Sequence, residues 1–226
     1  GDGDVWWDTS LGRGRPAWNI QDPAVISKYL GYEIDLHTGG KDNLYRHHDY
    51  TRAVMESVSG KEFCPWWVHG GELKVNGEKM SKSRGNVVYV DTLLDRGLFP
   101  RHIRFFLLYG PYGQDLDLCF SCVDERAGYL ERVRHAAHEL TGQRDDNTGG
   151  SGEWGRKLRR VFEEKMNENL DYRKAFDALA GKVLEIWNMD RENPLSSADR
   201  EDIETSLNAI DRVLGVLGCS EKSTAS

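Results

Sequence analysis

The sequence predicts an α/β region followed by an all-α region, and three observations carry that expectation. Up to Asp117, short extended runs alternate with helical stretches and glycine pairs, the pattern of a parallel sheet with crossover helices. After Asp117, apolar residues recur at helical spacing in four separate segments. Between the first and second of these, Arg144-Asp145-Asp146-Asn147-Thr148-Gly149-Gly150-Ser151-Gly152 reads as a polar, mobile linker.

A chain of 226 residues holds one large domain or two small ones. Its net charge of −7 weighs against a protein that coats nucleic acid generally, while leaving room for a local basic surface. The longest apolar runs fall well short of the ~20 residues that span a bilayer, so no membrane partner is expected. No basic-then-apolar leader opens the chain. Four cysteines, Cys64, Cys119, Cys122 and Cys219, are too few for a disulfide framework, so a reduced, cytoplasmic setting is expected. The opening Gly1-Asp2-Gly3-Asp4 lacks a methionine, which points to a fragment.

Residues 8–16 are glycine-rich and basic and read as a loop. Asp22 is placed as the N-cap of a helix with Pro23 in its first turn, running to Gly31. Tyr32–His37 alternates like a strand, and Thr38-Gly39-Gly40 is expected to end it. A helix from near Asn43 carries His47, Thr51, Val54 and Met55. Glu62–His69 reads as an aromatic-rich strand broken by Gly70-Gly71. Val87–Val90 is extended, Asp91 caps a short helix through Arg96, and Arg101–Leu108 is another. Ser121-Cys122-Val123-Asp124 has the form of a capping box. The stripe Ala127, Leu130, Val133, Ala137, Leu140 follows it. Further stripes are Leu158, Val161, Phe162, Met166; Ala175, Phe176, Leu179, Val183, Trp187; and Ile203, Leu207, Ile210, Val213, Leu214, Leu217. Four such faces pack as an antiparallel bundle. The tail Cys219–Ser226 has no stripe and is expected to be disordered. The lone Cys119-Phe120-Ser121-Cys122 reads as a packed strand–helix corner rather than a metal or redox site.

The stretch Asn76-Gly77-Glu78-Lys79-Met80-Ser81-Lys82-Ser83-Arg84-Gly85-Asn86 carries the chemistry. Two flexible ammonium groups sit among small residues between two glycines, a composition suited to phosphate oxygens. Read without any family in mind, it is a solvated basic turn. The contiguous Lys79-Met80-Ser81-Lys82-Ser83, however, resembles the second signature of class I aminoacyl-tRNA synthetases. Other segments resemble cysteinyl-tRNA synthetases in the same order. Gly14–Trp18 is similar to their GRPGW, His37–Asp42 to HGGGxD, His47-His48-Asp49 to HHEN, and Trp67–Gly71 to WMHNG. Ile103–Leu108 is similar to VRYFLL, and Asn169-Leu170-Asp171 with Ala175-Phe176 to the start of a bundle helix, so the likeness runs over most of residues 8–190. The family's first signature, HIGH, has no counterpart here.

The resemblance implies the second half of a Rossmann-like catalytic domain over 1–118, with the lysine loop and a stem-contact region. It also implies a tRNA-binding type of helical bundle over 119–218 and a tail over 219–226. It implies ATP with magnesium, an amino acid and, for the full-length protein, tRNA, and leaves the oligomeric state open. Lys79 and Lys82 would stabilise the phosphates. Gly39, Gly40, His69, Gly70 and Met80 would contact the nucleotide, and Asp42 the ribose, although locally Asp42 reads equally well as a helix cap. Trp18, Asp22, His47 and Thr51 fall in the amino-acid pocket. The family's zinc ligands include a cysteine, a histidine and a glutamate that correspond here to Asp22, His47 and Thr51. Threonine is a poor zinc ligand, so zinc is not expected, with Asp22 and His47 as the remaining candidates. His47 and His48 read as readily as ordinary helix-face residues. Three functions fit: ATP-dependent charging of tRNA, a ligase with a non-tRNA acceptor as in the mycothiol pathway, or an inactive RNA-binding paralogue. The acidic Glu163-Glu164 and the run Asp199–Glu204 weigh against strong RNA affinity.

Overall fold

The structure is a computed structural model that describes residues 5–142 and 152–218. The tail and all but Gly152 of the 144–152 linker lie outside the described residues. The chain divides into two compact units, residues 1–72 and 73–226.

The first unit opens with a hairpin of β1 (Trp7–Thr9) and β2 (Gly12–Gly14), antiparallel with Thr9 opposite Gly12. The expected loop at 8–16 is therefore partly paired. Thr9 Oγ1 supplies the reason: it donates to Gly12 O at 2.8 Å and accepts from Leu11 N at 3.1 Å, closing a turn of only Ser10 and Leu11. Helix α1 spans Trp18–Tyr29, starting after Ala17 rather than at Asp22, so Pro23 is interior. The first turn forms without a side-chain cap, from Ile20 N and Gln21 N to Ala17 O, while Gln21 Nε2 donates to Pro16 O. Proline lacks only the hydrogen bond to the residue four before it, and Pro23 itself is buried.

Strand β3 (Leu36–Gly40) runs parallel to β4 (Trp66–Gly70), with Gly39 opposite His69 and Gly40 opposite Gly70. The glycines that were expected to end the strand are inside it, because the ladder partner overrides their weak strand propensity. Lys41–Asn43 forms a 3₁₀ turn and Leu44–His48 a π-helical turn, leading into α2 (Asp49–Ser59), which stops at Gly60 in the left-handed conformation. Met55, Phe63 and Cys64 form a small core with Ile26, Ile34 and Trp67.

The second unit opens with β5 (Leu73–Val75), paired antiparallel with β6 (Glu78–Lys79) and parallel with β7 (Leu116–Leu118). Asn76 and Gly77, both at positive φ of 49° and 81°, make a two-residue hairpin turn of the kind Asn-Gly favours. Helices α3 (Val90–Asp95) and α4 (Pro100–Leu108) follow, α3 starting one residue before the expected cap Asp91. Leu93, Ile103, Phe106, Leu118 and Val123 form one core. Helix α5 spans Phe120–Thr141 and is capped by Cys119, whose Sγ accepts from Cys122 N. Ser121 is thus inside the helix and not its cap. The structure joins Cys119 and Cys122 in a disulfide, so these two thiols are not both free as the cysteine count suggested. Cys64 is free and buried.

Helices α6 (Trp154–Met166), α7 (Tyr172–Glu192) and α8 (Ser197–Leu214) complete the second unit. The expected stripes form a common core from Leu130 to Leu217, and Phe105 of α4 is part of it. Ala127, Val161 and Val213 fall outside it, and Val213 is exposed. The acidic run proves largely structural. Asp199 caps α8 with Ser196 and accepts Gly152 N, Asp202 accepts Gly155 N at 2.7 Å, and Arg200 pairs with buried Asp190 at 2.5 Å.

Gly155 gives the bundle a sharp test. A Cβ there would run into Ser206 Oγ and the Asp202 carbonyl, whereas one at Gly181 of α7 meets nothing within 4 Å. Alanine gains about 1 kcal/mol over glycine in a helix interior. Gly181→Ala is therefore expected to raise the urea midpoint. Gly155→Ala is expected to lower it despite the same propensity gain, because α6 and α8 must separate.

Candidate active site

In the first unit, the parallel register lines up Gly39, Gly40, His69 and Gly70 at the carboxyl ends of two paired strands. In open α/β sheets, ligands bind outside these ends. Gly39 has no side chain because His48 fills that space. A Cβ would fall 2.8 Å from His48 Nε2 and closer still to Cε1. Asp42 turns back over Gly40, its Oδ1 lying 2.5 Å from where a Gly40 Cβ would be. Asp42 forms no side-chain cap bond in the 3₁₀ turn and its side chain is exposed.

His69 is tied to His48, Nε2 to Nδ1, at 2.8 Å. His37 stands edge-on to His48 with centroids 4.6 Å apart and stacks on Trp67 at 4.7 Å. His48 is thus buried within an aromatic stack and is not an ordinary surface residue. His37 Nδ1 is buried with no hydrogen-bond partner. Burial is the first cause that lowers the His37 pKa, with His69 adding to it and Asp22 opposing. Burial likewise lowers that of His48, helped by His37, His69 and His47, again against Asp22.

Trp18, Asp22 and His47 meet in one cleft of about 280 Å³, lined also by Gln21, Asn43 and His48. The Trp18 and His47 rings lie 5.2 Å apart, and His47 Nδ1 is 3.2 Å from Asn19 Oδ1. Thr51 does not line this cleft. It is buried in α2, with Oγ1 lacking a hydrogen-bond partner. Among the described residues no three His, Cys, Asp or Glu side chains are grouped to hold a metal ion.

In the second unit, β6 delivers Lys79 and Met80 into a loop closed by one amide side chain. Asn86 Oδ1 accepts from Ser81 N at 2.8 Å, and Asn86 Nδ2 donates to Lys79 O at 3.1 Å. Lys82–Arg84 forms a 3₁₀ turn that ends at Gly85 with φ of 67°. Lys79 and Lys82 are exposed and Met80 is half-buried. Lys82 makes no ion pair among the described residues, whereas Arg84 approaches Glu78 at 3.8 Å.

A family profile described as the catalytic domain of class I (C) tRNA synthetases matches residues 1–126. The chain belongs to this cysteinyl-type synthetase family. The cysteine–tRNA ligase of Brachyspira hyodysenteriae is 37% identical over 172 residues, 75% of this chain and 36% of the relative. That of Oceanobacillus iheyensis is 32% identical over 223 residues, 96% of this chain and 47% of the relative. The chain thus spans less than half the length of these curated relatives. Among solved structures, the methionyl-tRNA synthetase of Mycobacterium tuberculosis, in complex with methionyl-adenylate, aligns with a TM-score of 0.53. It is 22% identical and covers 81% of this chain and 40% of the synthetase. A leucyl-tRNA synthetase of Agrobacterium radiobacter K84, in a ternary complex with tRNA, aligns at 0.54 and 21% identity, covering 84% of this chain and 27% of that one. At these identities the likeness establishes the class I synthetase fold and nothing finer.

Sequence reasoning gave no site role to His37 and His48 in the first unit or to Asn86 in the second. Asn86 was visible only as the last letter of a motif. The orphaned His37 nitrogen and the packing of His48 on Gly39 depend on contacts across the fold that have no local signal.

The two lowered imidazoles set a pH dependence. The unfolded chain takes up protons near the ordinary imidazole value of 6.5, while folded His37 and His48 resist until lower pH. Stability of the first unit is therefore present above about pH 6.5, is lost as pH falls through the folded values, and then levels. Histidine proton shifts followed by NMR, with hydrogen exchange at residues 36–40 and 66–70, will check the sign. Greater protection at acid pH would contradict it.

Proposed function

We propose that the protein takes part in ATP-dependent amino-acid activation and transfer to tRNA, and that this chain carries the phosphate-binding loop and the adenosine-side strand ends. The observation that carries the reading is the Lys79–Asn86 loop. A tight hairpin turn fixes its base, one asparagine closes it, and Lys82 is exposed with no ion pair among the described residues. Attack of a carboxylate on the α-phosphate of ATP builds negative charge, and cations aimed at that charge lower the barrier. Lys82, with Lys79, supplies it, and Met80 packs beside them. Magnesium bound with ATP would neutralise further phosphate charge.

The Cβ spaces at Gly39 and Gly40 are taken by His48 and Asp42, so the nucleotide would meet those side chains at the strand ends, with Gly70 and the ring of His69 in the same register. Exposed Asp42 accepts from the ribose hydroxyls. Beyond Asp117 the helices form the RNA-facing region, in which much of the Asp199–Glu204 charge is already committed to caps and helix contacts. The working compartment we propose is the cytoplasm.

The amino-acid cleft departs from the family's cysteine pocket. Its donors are one carboxylate, one imidazole already next to Asn19 and, buried away from the lining, one neutral hydroxyl. That set does not fit zinc, which takes thiolate, imidazole or carboxylate in tetrahedral array. Without a thiophilic ion, discrimination of cysteine from serine by sulfur coordination is lost. Trp18 provides an apolar wall and Asp22 an acid, which suits an ammonium group or a polar side chain. The amino acid selected is therefore not cysteine.

Amino-acid-dependent exchange of pyrophosphate into ATP by the full natural protein tests the activation step. Lys82→Ala is expected to cut the exchange rate by about 10²–10³-fold with the fold intact, the loss typical of one charge-stabilising donor. An unchanged rate would remove the loop from the chemistry. Absence of exchange with every amino acid would leave an RNA-binding paralogue, and exchange without tRNA charging would indicate another acceptor. Isothermal titration with zinc and then with cysteine tests the pocket. Weak or absent binding of both is expected, and tight binding of both would overturn the assignment.

A further inference from the structure

The Cys119–Cys122 pair has no role in the site described above. We infer that it is a reversible thiol–disulfide site whose state sets the rigidity of the hairpin beneath the Lys79–Asn86 loop.

The pair sits where three pieces of the second unit are tied together. Strand β7 holds both residues of the hairpin turn: Leu118 O accepts Asn76 N at 3.3 Å, and Asp117 Oδ1 accepts Gly77 N at 2.8 Å. Cys119 follows Leu118 directly and is the N-cap of the 22-residue α5. Val123, next to Cys122, is buried with Leu118 in one core. The disulfide therefore fastens the end of β7 to the first turn of α5 on either side of this packed pair. Opening it removes the cross-link that stiffens the corner between β7 and α5, and the hairpin turn hangs from β7.

The local chemistry favours reversible opening. Neither cysteine is buried, and Ser121 between them is exposed, so a small thiol can reach the bond. Cys122 N–H points at Cys119 Sγ at 3.1 Å, and α5 begins there. A thiolate at Cys119 is stabilised by that donor and by the helix N-terminus. Arg96 places its guanidinium 4.3 Å from the Phe120 ring centre and 3.6 Å from Asp124, adding a cation beside the pair and an acid that partly offsets it. A stabilised thiolate leaves readily in exchange. The co-reactant is a low-molecular-weight thiol such as glutathione. Its thiolate attacks one sulfur, the S–S bond breaks, and the other sulfur departs as thiolate and takes a proton. A second thiol resolves the mixed disulfide. Two small thiols are oxidised to their disulfide, and the protein is reduced to two thiols.

The experiment places the full chain in glutathione buffers of graded oxidised-to-reduced ratio, traps thiols with N-ethylmaleimide and weighs the intact protein. Beyond any adduct on Cys219, which is expected in either state, two more are expected to appear together on reduction, mapping to residues 119 and 122, while buried Cys64 stays unlabelled in the native state. Amide exchange over residues 73–79 is expected to be roughly tenfold faster in the dithiol form, the scale set by removing one short cross-link. Exchange within residues 130–140 is expected not to change. Cys119→Ser/Cys122→Ser, which keeps a helix-capping hydroxyl, is expected to exchange at the fast rate in every buffer. Cys122→Ser alone provides the same comparison should the double variant fold poorly. A pair that stays dithiol in oxidised glutathione, resists reduction, or leaves exchange over 73–79 unaltered would overturn the inference. None of these readouts requires that the loop bind a nucleotide, so they stand apart from the activation assay.

Discussion

Short strands cannot hold themselves, and that constraint shapes both units. No described strand exceeds five residues, and β6 has two. A lone pair of short strands is marginal in water, because the ladder bonds barely offset the backbone entropy they cost. Each strand is therefore closed by side chains. In the first unit, Trp67, Phe63, His37 and His48 stack against the β3–β4 pair. In the second, Asp117 and Asn86 take up backbone N–H groups at either end of the β6 segment. The same side chains that complete the strands also define the candidate site, so stability and site geometry rest on one set of contacts.

This division explains what was legible in the sequence. The glycine-bounded lysine loop and most of the stripes of α5–α8 are local patterns and stand where the sequence put them, although Glu78–Lys79 at the start of the loop pairs as a strand. One misplacement came from a partner distant in sequence, and two from a neighbouring group that took the capping role first. Gly39 and Gly40 read as a strand terminus because their partners, His69 and Gly70, lie about thirty residues on. Asp22-Pro23 resembles a helix start, but Ala17 O had already collected two N–H groups one turn earlier. Ser121 looked like a cap, yet Cys119 fills that role with sulfur. The cleft proposed for the amino acid was half legible: Trp18, Asp22 and His47 converge, whereas Thr51 is buried away from the lining. The change of period at residue 118 marks a change from strands to helices, while the compact units part between Glu72 and Leu73.

Charge tells a related story in the bundle. A run such as Asp199–Glu204 suggests an acidic, solvated face hostile to RNA. In the fold, the Asp199 carboxylate accepts from the capping Ser196 hydroxyl and from Gly152 N, Arg200 is buried against Asp190, and Asp202 anchors the start of α6. Breaking a buried ion pair costs several kcal/mol, so these residues are held by packing whatever the helices bind. A formal charge count overstates the field such a surface presents, and RNA affinity must be judged from the exposed groups alone.

On the proposed reading, an intact lysine loop together with an altered amino-acid pocket would follow from how the two kinds of site fail. Phosphate recognition by ammonium groups is graded. Each cation contributes on its own, tolerates an ångström of slack and needs only a loop that can bring it close. Recognition of sulfur through a metal is close to all-or-none. The ion needs a full set of suitable donors at once, and replacing a glutamate-type ligand with a buried threonine hydroxyl removes one that no neighbour here restores. Substitutions at two positions can therefore abolish metal-based selection while leaving the machinery for handling ATP untouched. A family member under relaxed or altered selection for its amino acid would be expected to lose the coordinated ion first and the lysines last.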